Sequence, residues 1–85
     1  MNNDTIAPFS KEAKSLKKGL YEHYKGNRYE VIAVGRHSES LEEHVIYRAA
    51  YGEGDFWVRP LKEFCERVTV ESSLVPRFLY LGIIP

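Results

Sequence analysis

The chain has 85 residues, a formal net charge of zero and a single cysteine. This length fits one small domain. A net charge of zero argues against a dedicated nucleic-acid-binding protein, because such proteins usually carry a basic excess. Cys65 has no second thiol for a disulfide, and no Cys/His ladder predicts a structural zinc site. Packing must therefore stabilise the fold, and a homodimer is left open as a further source of stability.

The location of the protein is inferred from segments that the sequence lacks. Residues 1–5 do not show the basic start and apolar run of a signal peptide, and no apolar stretch approaches the ~20 residues of a membrane helix. A cytoplasmic protein without a membrane partner is therefore expected. Basic side chains dominate residues 10–28 and acidic ones dominate residues 39–55. We interpret both segments as solvated surface, although such asymmetry also biases encounters with a charged partner.

The amino-terminal part differs in character from the rest of the chain. Residues 1–18 are expected to form a flexible or partly helical basic arm, and residues 19–85 a single small β-barrel domain. Within the arm, Ser10 is placed to cap a short helix over residues 11–18 that ends at Gly19. After Gly19 the chain consists of short segments rich in Tyr, Val and Ile with turn residues between them, which is typical of β-strands.

The β-rich part predicts strands over residues 20–24, 29–36, 45–50 and 56–59. Pro60 ends the fourth strand, because it cannot donate to a ladder, and opens one helical turn over residues 61–64. A last pair of strands is predicted over residues 67–71 and 77–81. Five or six short antiparallel strands favour a mainly β fold, a small SH3-like barrel, because closure removes exposed sheet edges.

A polar insert, residues 36–44, separates the second and third predicted strands and gathers imidazoles, hydroxyls and carboxylates. Its spacing does not match the HExxH arrangement of zinc enzymes or a nucleophile–base motif. The sequence therefore predicts no cofactor and no metal. The insert is expected to be held by an ion pair from a strand arginine to Glu39, or by local bonds from its side chains to the backbone.

Aromatic residues are dense for so small a domain. Because successive strand residues face opposite sides of a sheet, at least one of Phe56 and Trp57 is expected near the surface. An exposed Trp57 near Tyr24 or Tyr47 would form a shallow groove like those that take proline-rich or cationic peptides. The alternative is that Trp57 closes the core, with its indole N–H bonded to a carbonyl.

Several short strings resemble one protein family. They are YEHYKGN at 21–27, YEV at 29–31, RHSESLEE at 36–43, VIYRA at 45–49, WVRPL at 57–61 and VPRF at 75–78. Together they are similar to the short bacterial proteins grouped as domain-of-unknown-function family 1653, over about residues 18–81. The resemblance implies an SH3-like β-barrel and supplies no activity. Ser72 and Ser73 stand where an Asp-Gly hairpin turn is expected.

The leading hypothesis from the sequence is a non-catalytic binding module that holds a peptide, protein or small polar ligand on one barrel face. Its candidate binding residues are Tyr24, His37, Glu39, Tyr47, Trp57 and Arg59. Two alternatives stay open: a small hydrolytic or metal-dependent enzyme centred on His37, Glu39 and His44, and a small barrel that associates with RNA through the basic arm. No residue pattern specifies the ligand or a reaction.

Overall fold

The structure, a computed structural model, describes residues 6–83. Within these residues the elements are α1 Lys11–Ser15, β1 Gly19–His23, β2 Arg28–Arg36, β3 Glu43–Ala49, β4 Phe56–Pro60, α2 Leu61–Phe64, β5 Arg67–Val70, β6 Ser73–Pro76 and β7 Phe78–Gly82. Neither helix of this part of the chain has the length or apolar character to cross a membrane. The arm predicted at residues 1–18 falls partly outside the described residues.

The strands of the described residues confirm the predicted mainly β fold, but they do not close into a barrel. Five of them form one antiparallel sheet in the order β4-β3-β2-β1-β7, and β5 pairs with β6 as a separate hairpin. Within residues 6–83, β4 and β7 are therefore the two edges of the sheet, and the sheet is open where a closed barrel was predicted. Seven strands stand where five or six were expected, because the segment after β5 folds back on it as β6.

Helix α2 explains how the open sheet covers its core. Pro60 precedes the helix, as predicted, and the short turn buries Phe64, which is 2% exposed. The ring of Phe64 stacks on Phe78 of β7 with centroids 4.1 Å apart and meets Tyr47 of β3 at 5.4 Å. The buried aromatic side chains on the core-facing side of the sheet are thus covered by α2 instead of by further strand pairing.

The amino-terminal segment packs on the same core. Ser10 caps α1 as predicted and accepts a bond from the Ala13 N–H at 3.1 Å. The helix ends at Ser15 and not at residue 18, because Leu16 adopts an extended conformation and packs against the core. The backbone N–H and hydroxyl of Ser10 each donate to the Glu43 carboxylate at 2.7 Å. These bonds lower the pKa of Glu43 and tie α1 to β3.

The hairpin at the carboxyl side differs from the prediction. The predicted pair of strands, residues 67–71 with 77–81, is wrong: β5 pairs with β6, while β7 pairs with β1. The turn falls at Glu71 and Ser72, whose φ values of 48° and 68° lie in the left-handed region. Two positive φ values are typical of a two-residue type I′ turn, which favours Asn-Gly. Glu71 and Ser72 are neither asparagine nor glycine, so the position of this turn could not be predicted from the sequence.

This turn gives a first prediction about stability. We expect Ser72→Gly to stabilise the protein by about 1 kcal/mol, because glycine adopts a positive φ without the steric cost of a Cβ. Urea denaturation followed by fluorescence measures the change as a higher midpoint. Ser73→Gly is the matched control, since Ser73 lies in β6, and it should lower stability. A lower midpoint for Ser72→Gly would contradict the assigned turn.

Candidate functional site

Trp57, supported by Tyr47, lies at the centre of an aromatic surface on the core-facing side of the sheet. They are direct partners in the β3–β4 ladder, and directly opposed residues project to the same face. Tyr47 is buried at 4% exposure, whereas Trp57 is 51% exposed because β4 is the edge strand. Phe56 is exposed as well, so the expectation that one of the two neighbouring aromatics lies near the surface is confirmed.

Arg59 lies beside this pair. It follows Trp57 by two positions and therefore shares its face. Its Nε donates to the Tyr47 hydroxyl at 3.3 Å, and its guanidinium lies 5.7 Å from the centroid of the Phe78 ring. One terminal nitrogen is 3.8 Å from a carboxylate oxygen of Glu63. The guanidinium is thus positioned at the rim of the aromatic surface, with a long ion pair and a cation–π contact.

Tyr24 joins the surface from the end of β1. Its ring lies 4.6 Å from that of His23, and His23 meets Phe78 edge-on at 4.9 Å. Phe78 is the ring over which Arg59 lies, so these contacts connect Tyr24 to Arg59. Tyr24 is 40% exposed, and Lys25 places its ammonium 5.8 Å from the Tyr24 centroid.

We call this surface the aromatic face. It consists of Tyr24, Tyr47, Trp57 and Arg59 with the supporting rings of His23 and Phe78. Four of the six predicted binding residues are therefore brought together. The two supporting rings were not predicted, because their contact depends on the non-local pairing of His23 with Phe78 between β1 and β7. The only sequence signal for them is their presence in the strings at 21–27 and 75–78.

Positive charge surrounds the imidazole of this face. Burial lowers the pKa of His23, and the charges of Arg59, Lys25 and Arg77 lower it further. The ring is therefore neutral at neutral pH. Consistent with this, its Nδ1 accepts a hydrogen bond from the Lys25 N–H at 3.2 Å. His23 is accordingly an ordinary hydrogen-bonding group under a cationic rim, and the charge of the face comes from the two arginines and the lysine.

His37 and Glu39 lie elsewhere, in the turn between β2 and β3. The His37 N–H donates to the Glu42 carbonyl at 2.8 Å, and its Nδ1 accepts from the N–H groups of Glu39 and Ser40 at 3.2 and 3.3 Å. The Ser40 hydroxyl accepts from the Glu42 N–H at 3.1 Å. Side-chain bonds to the local backbone therefore hold this turn, although the sequence suggested Arg36, Ser38 and Glu39 as their source. Their source is His37 and Ser40.

The predicted ion pair to Glu39 is replaced by a different contact. Arg36 donates to the carbonyl of Ala7 at 2.5 Å, and its guanidinium lies 4.3 Å from the ring centroid of Phe9. Both partners precede α1, and α1 is itself tied to β3 through Glu43. The insert arginine thus fastens the amino-terminal segment to the sheet and leaves Glu39 exposed.

The ladder separates the insert from the aromatic face. Arg36 pairs with Glu43 at the start of β3, whereas Trp57 pairs with Tyr47, four positions further along. At ~3.3 Å per residue these two pairs lie about 13 Å apart, and His37 lies beyond the first of them. Among the described residues, no hydrogen bond, ion pair or ring contact joins the insert to the aromatic face. A single site with all six residues stays a prediction.

The groups named for a metal-dependent enzyme do not assemble in the described part of the chain. The rings of His37 and His44 are 6.0 Å apart, and the Nε2 of His44 is 3.7 Å from a carboxylate oxygen of Glu42. Over residues 6–83, no group of three or more His, Cys, Asp or Glu side chains is placed to hold a metal ion. The contacts of the insert thus give the metal hypothesis no support.

Two cavities lie away from the aromatic face. A groove of about 880 Å³ runs between Leu16, Tyr80 and Ile83. A cleft of about 520 Å³ borders the insert and contains Cys65 among several carboxylates. Cys65 is exposed, and the desolvation of its thiol, together with the Glu12 carboxylate, raises its pKa. A thiol with a raised pKa is a poor nucleophile at neutral pH. The Ser10 hydroxyl also lines this cleft, where it donates to the Glu43 carboxylate at 2.7 Å in the contact that ties α1 to β3.

Comparison with known proteins supplies the family. The chain is similar to a DUF1653 protein from Bordetella bronchiseptica with a crystal structure, at 29% sequence identity and a TM-score of 0.78. The match covers 86% of this chain and 96% of the Bordetella chain. No curated protein matches the sequence. The family model described as protein of unknown function (DUF1653) matches residues 19–80, and that range contains every residue of the aromatic face and of the insert. The chain therefore belongs to the DUF1653 family.

Proposed function

We propose that this protein is a non-catalytic binding module that holds a peptide or small polar ligand on its aromatic face. The observation that supports this most is the half-exposed Trp57 on the same face as Arg59, whose Nε donates to the hydroxyl of Tyr47, the ladder partner of Trp57. A large exposed aromatic side chain next to a positioned arginine is typical of binding surfaces, where both residue types are enriched. Reaction chemistry has no comparable support in the contacts of the described residues.

The shape of the aromatic face indicates the kind of ligand. The face is a shallow surface along β4 and the end of β1, and the groove and the cleft described above lie away from it. Shallow aromatic surfaces suit extended peptides, whose side chains or backbone stack on exposed rings. Arg59 offers the N–H groups of its second terminal nitrogen to a carbonyl or carboxylate of the ligand, since its Nε donates to Tyr47 and its Nη1 lies 3.8 Å from a Glu63 carboxylate oxygen.

Binding can be measured with the chain's own fluorophore, because Trp57 is its single tryptophan. A library of short acidic, basic and proline-rich peptides, with small carboxylates and phosphates, is titrated against the protein. We expect one class to change the Trp57 emission. Arg59→Gln and Tyr24→Ala should each weaken that binding about tenfold, which is the scale of one lost charge-assisted bond or ring contact.

The matched control is Arg48→Gln. Arg48 lies in β3, next to Tyr47 and opposite Phe56 of β4, so its side chain is on the opposite face of the sheet from Arg59. There it forms an ion pair with Glu30 at 3.1 Å. Its variant should bind like the wild type, as should Glu39→Ala in the insert. An unchanged emission with every ligand class would overturn the proposal. Equal weakening by Arg59→Gln and Arg48→Gln would place the site elsewhere.

A further inference from the structure

Strand β4 is an edge strand whose only charged residue and only proline, Arg59 and Pro60, stand at its carboxyl end. In residues 6–83 it pairs with β3 alone, and Phe56, Trp57 and Val58 form a run of three exposed hydrophobic residues, with Val58 66% exposed. Natural edge strands are usually blunted by charges, prolines, bulges or a covering element. Here Pro60 comes only at the end of the strand, and no bulge interrupts its pairing with β3.

The outward backbone groups of β4 follow from its ladder. The Ala49 N–H donates to the Asp55 carbonyl at 2.9 Å, which makes these opposed residues a hydrogen-bonded pair. In antiparallel ladders such pairs alternate with pairs that are not hydrogen-bonded. Trp57 and Arg59 therefore direct their N–H and C=O groups to β3. Phe56 and Val58 direct theirs away from it, toward whatever lies along the edge.

We propose that two copies of this chain pair through β4, antiparallel, with Trp57 of one copy opposite Trp57 of the other. In this register Phe56 lies opposite Val58 of the second copy, and the outward groups of the two residues form four hydrogen bonds across the two-fold axis. The partner is thus a second copy of the chain, and the two five-stranded sheets become one continuous sheet.

Charge and side-chain type favour this register. Arg59 lies opposite Asp55 of the second copy, on the same face as the two tryptophans, and the two-fold axis repeats that pair of opposite charges. On the other face Phe56 meets Val58, so apolar side chains contact apolar ones. A register shifted by two residues would set Pro60 opposite Phe56, and Pro60 has no N–H to donate to the Phe56 carbonyl.

The inference goes beyond the proposed binding function and is tested without any ligand. It also places the two aromatic faces side by side, because each contains the Trp57 at the axis. Sedimentation is measured over about 1 µM to about 1 mM, a range that covers ordinary dimer affinities. We expect a dimer at the upper end, and we expect Val58→Pro, which lacks the outward N–H, to raise the dissociation constant at least tenfold.

Val58→Ala is the matched control, since it shortens the same side chain and keeps the N–H. It should remain a dimer, and both variants should keep the wild-type circular dichroism, because the Val58 N–H takes no part in the β3–β4 ladder. A wild type that is monomeric at every concentration would overturn the proposal and leave the edge to a peptide of another protein. Equal dimerisation of Val58→Pro and wild type would overturn it too.

Cross-linking tests the register directly. In a Cys65→Ser background, Trp57→Cys places two thiols opposite each other in a pair that is not hydrogen-bonded, where Cα atoms lie about 4.5 Å apart, within the reach of a disulfide. We expect Trp57→Cys to form a disulfide dimer under mild oxidation faster than Val58→Cys in the same background. Faster cross-linking of Val58→Cys would overturn this register.

Discussion

Replacing Gly19 with alanine should destabilise the fold by about 3 kcal/mol, the sum of a left-handed backbone cost and an overpacking cost. Gly19 opens β1 with a φ of +132°. A Cβ at this position would collide with the carbonyl oxygen of Gly82 and lie 3.2 Å from its carbonyl carbon and 3.3 Å from the Cα of Ile83. These atoms belong to backbone, so neither strand can yield as a flexible side chain would. Urea denaturation followed by Trp57 fluorescence measures the loss.

Gly26 provides the matched control for this experiment. It also has a positive φ, +109°, but no atom lies within 4 Å of its ideal Cβ. Gly26→Ala should therefore lower the free energy of unfolding only by the cost of a left-handed backbone, about 1 to 2 kcal/mol. A Gly19→Ala chain that fails to fold while Gly26→Ala folds agrees with the same reasoning. Equal losses in the two variants would contradict the close approach of β1 and β7.

The fold could be predicted where local chemistry sets an element, and not where distant pairing does. Predicted strand 29–36 matches β2 Arg28–Arg36, and residues 61–64 match α2, because a Gly-Asn turn and a proline mark their starts. Gly19 was predicted to end a helix. It instead begins β1, and its positive φ together with the close approach of Gly82 of β7 explains the glycine. The Glu71-Ser72 turn carries no turn signature either.

The residues of the candidate site also differ in whether local sequence or distant strand pairing positions them. Strand alternation predicted one exposed aromatic side chain in β4 but left open whether Trp57 closes the core; the structure places Trp57 opposite Tyr47 with half of its side chain exposed. The role of His23 could not be predicted, because it depends on the pairing of β1 with β7 across most of the chain. The insert shows the converse. Its dense polar groups suggested a reactive site. In the structure, the His37 ring nitrogen and the Ser40 hydroxyl accept hydrogen bonds from local backbone N–H groups. The density of polar residues therefore indicated a turn.

Phe64 should be the most sensitive core position in α2. Phe64→Ala is expected to cost about 3 to 5 kcal/mol, the usual range for a buried phenylalanine. The ring is 2% exposed and contacts Tyr21, Tyr47 and Phe78. Its loss would remove the stacked partner of the Phe78 ring over which Arg59 lies. The stability of the core and the position of Arg59 on the aromatic face are therefore coupled. We expect Phe64→Ala to lower the unfolding midpoint and to reduce the change in Trp57 emission on ligand binding.

Phe56 is the matched control, because it is the same residue type at 63% exposure on β4. Phe56→Ala should change monomer stability by less than about 0.5 kcal/mol, as exposed substitutions usually do. The comparison is made at low protein concentration, so that pairing through β4 does not contribute to the measured midpoint. If Phe64→Ala unfolded at the same urea concentration as Phe56→Ala, α2 would not be covering the core-facing side of the sheet. The aromatic face would then rest on the strands alone, and Arg59 would keep its position over Phe78 without the helix.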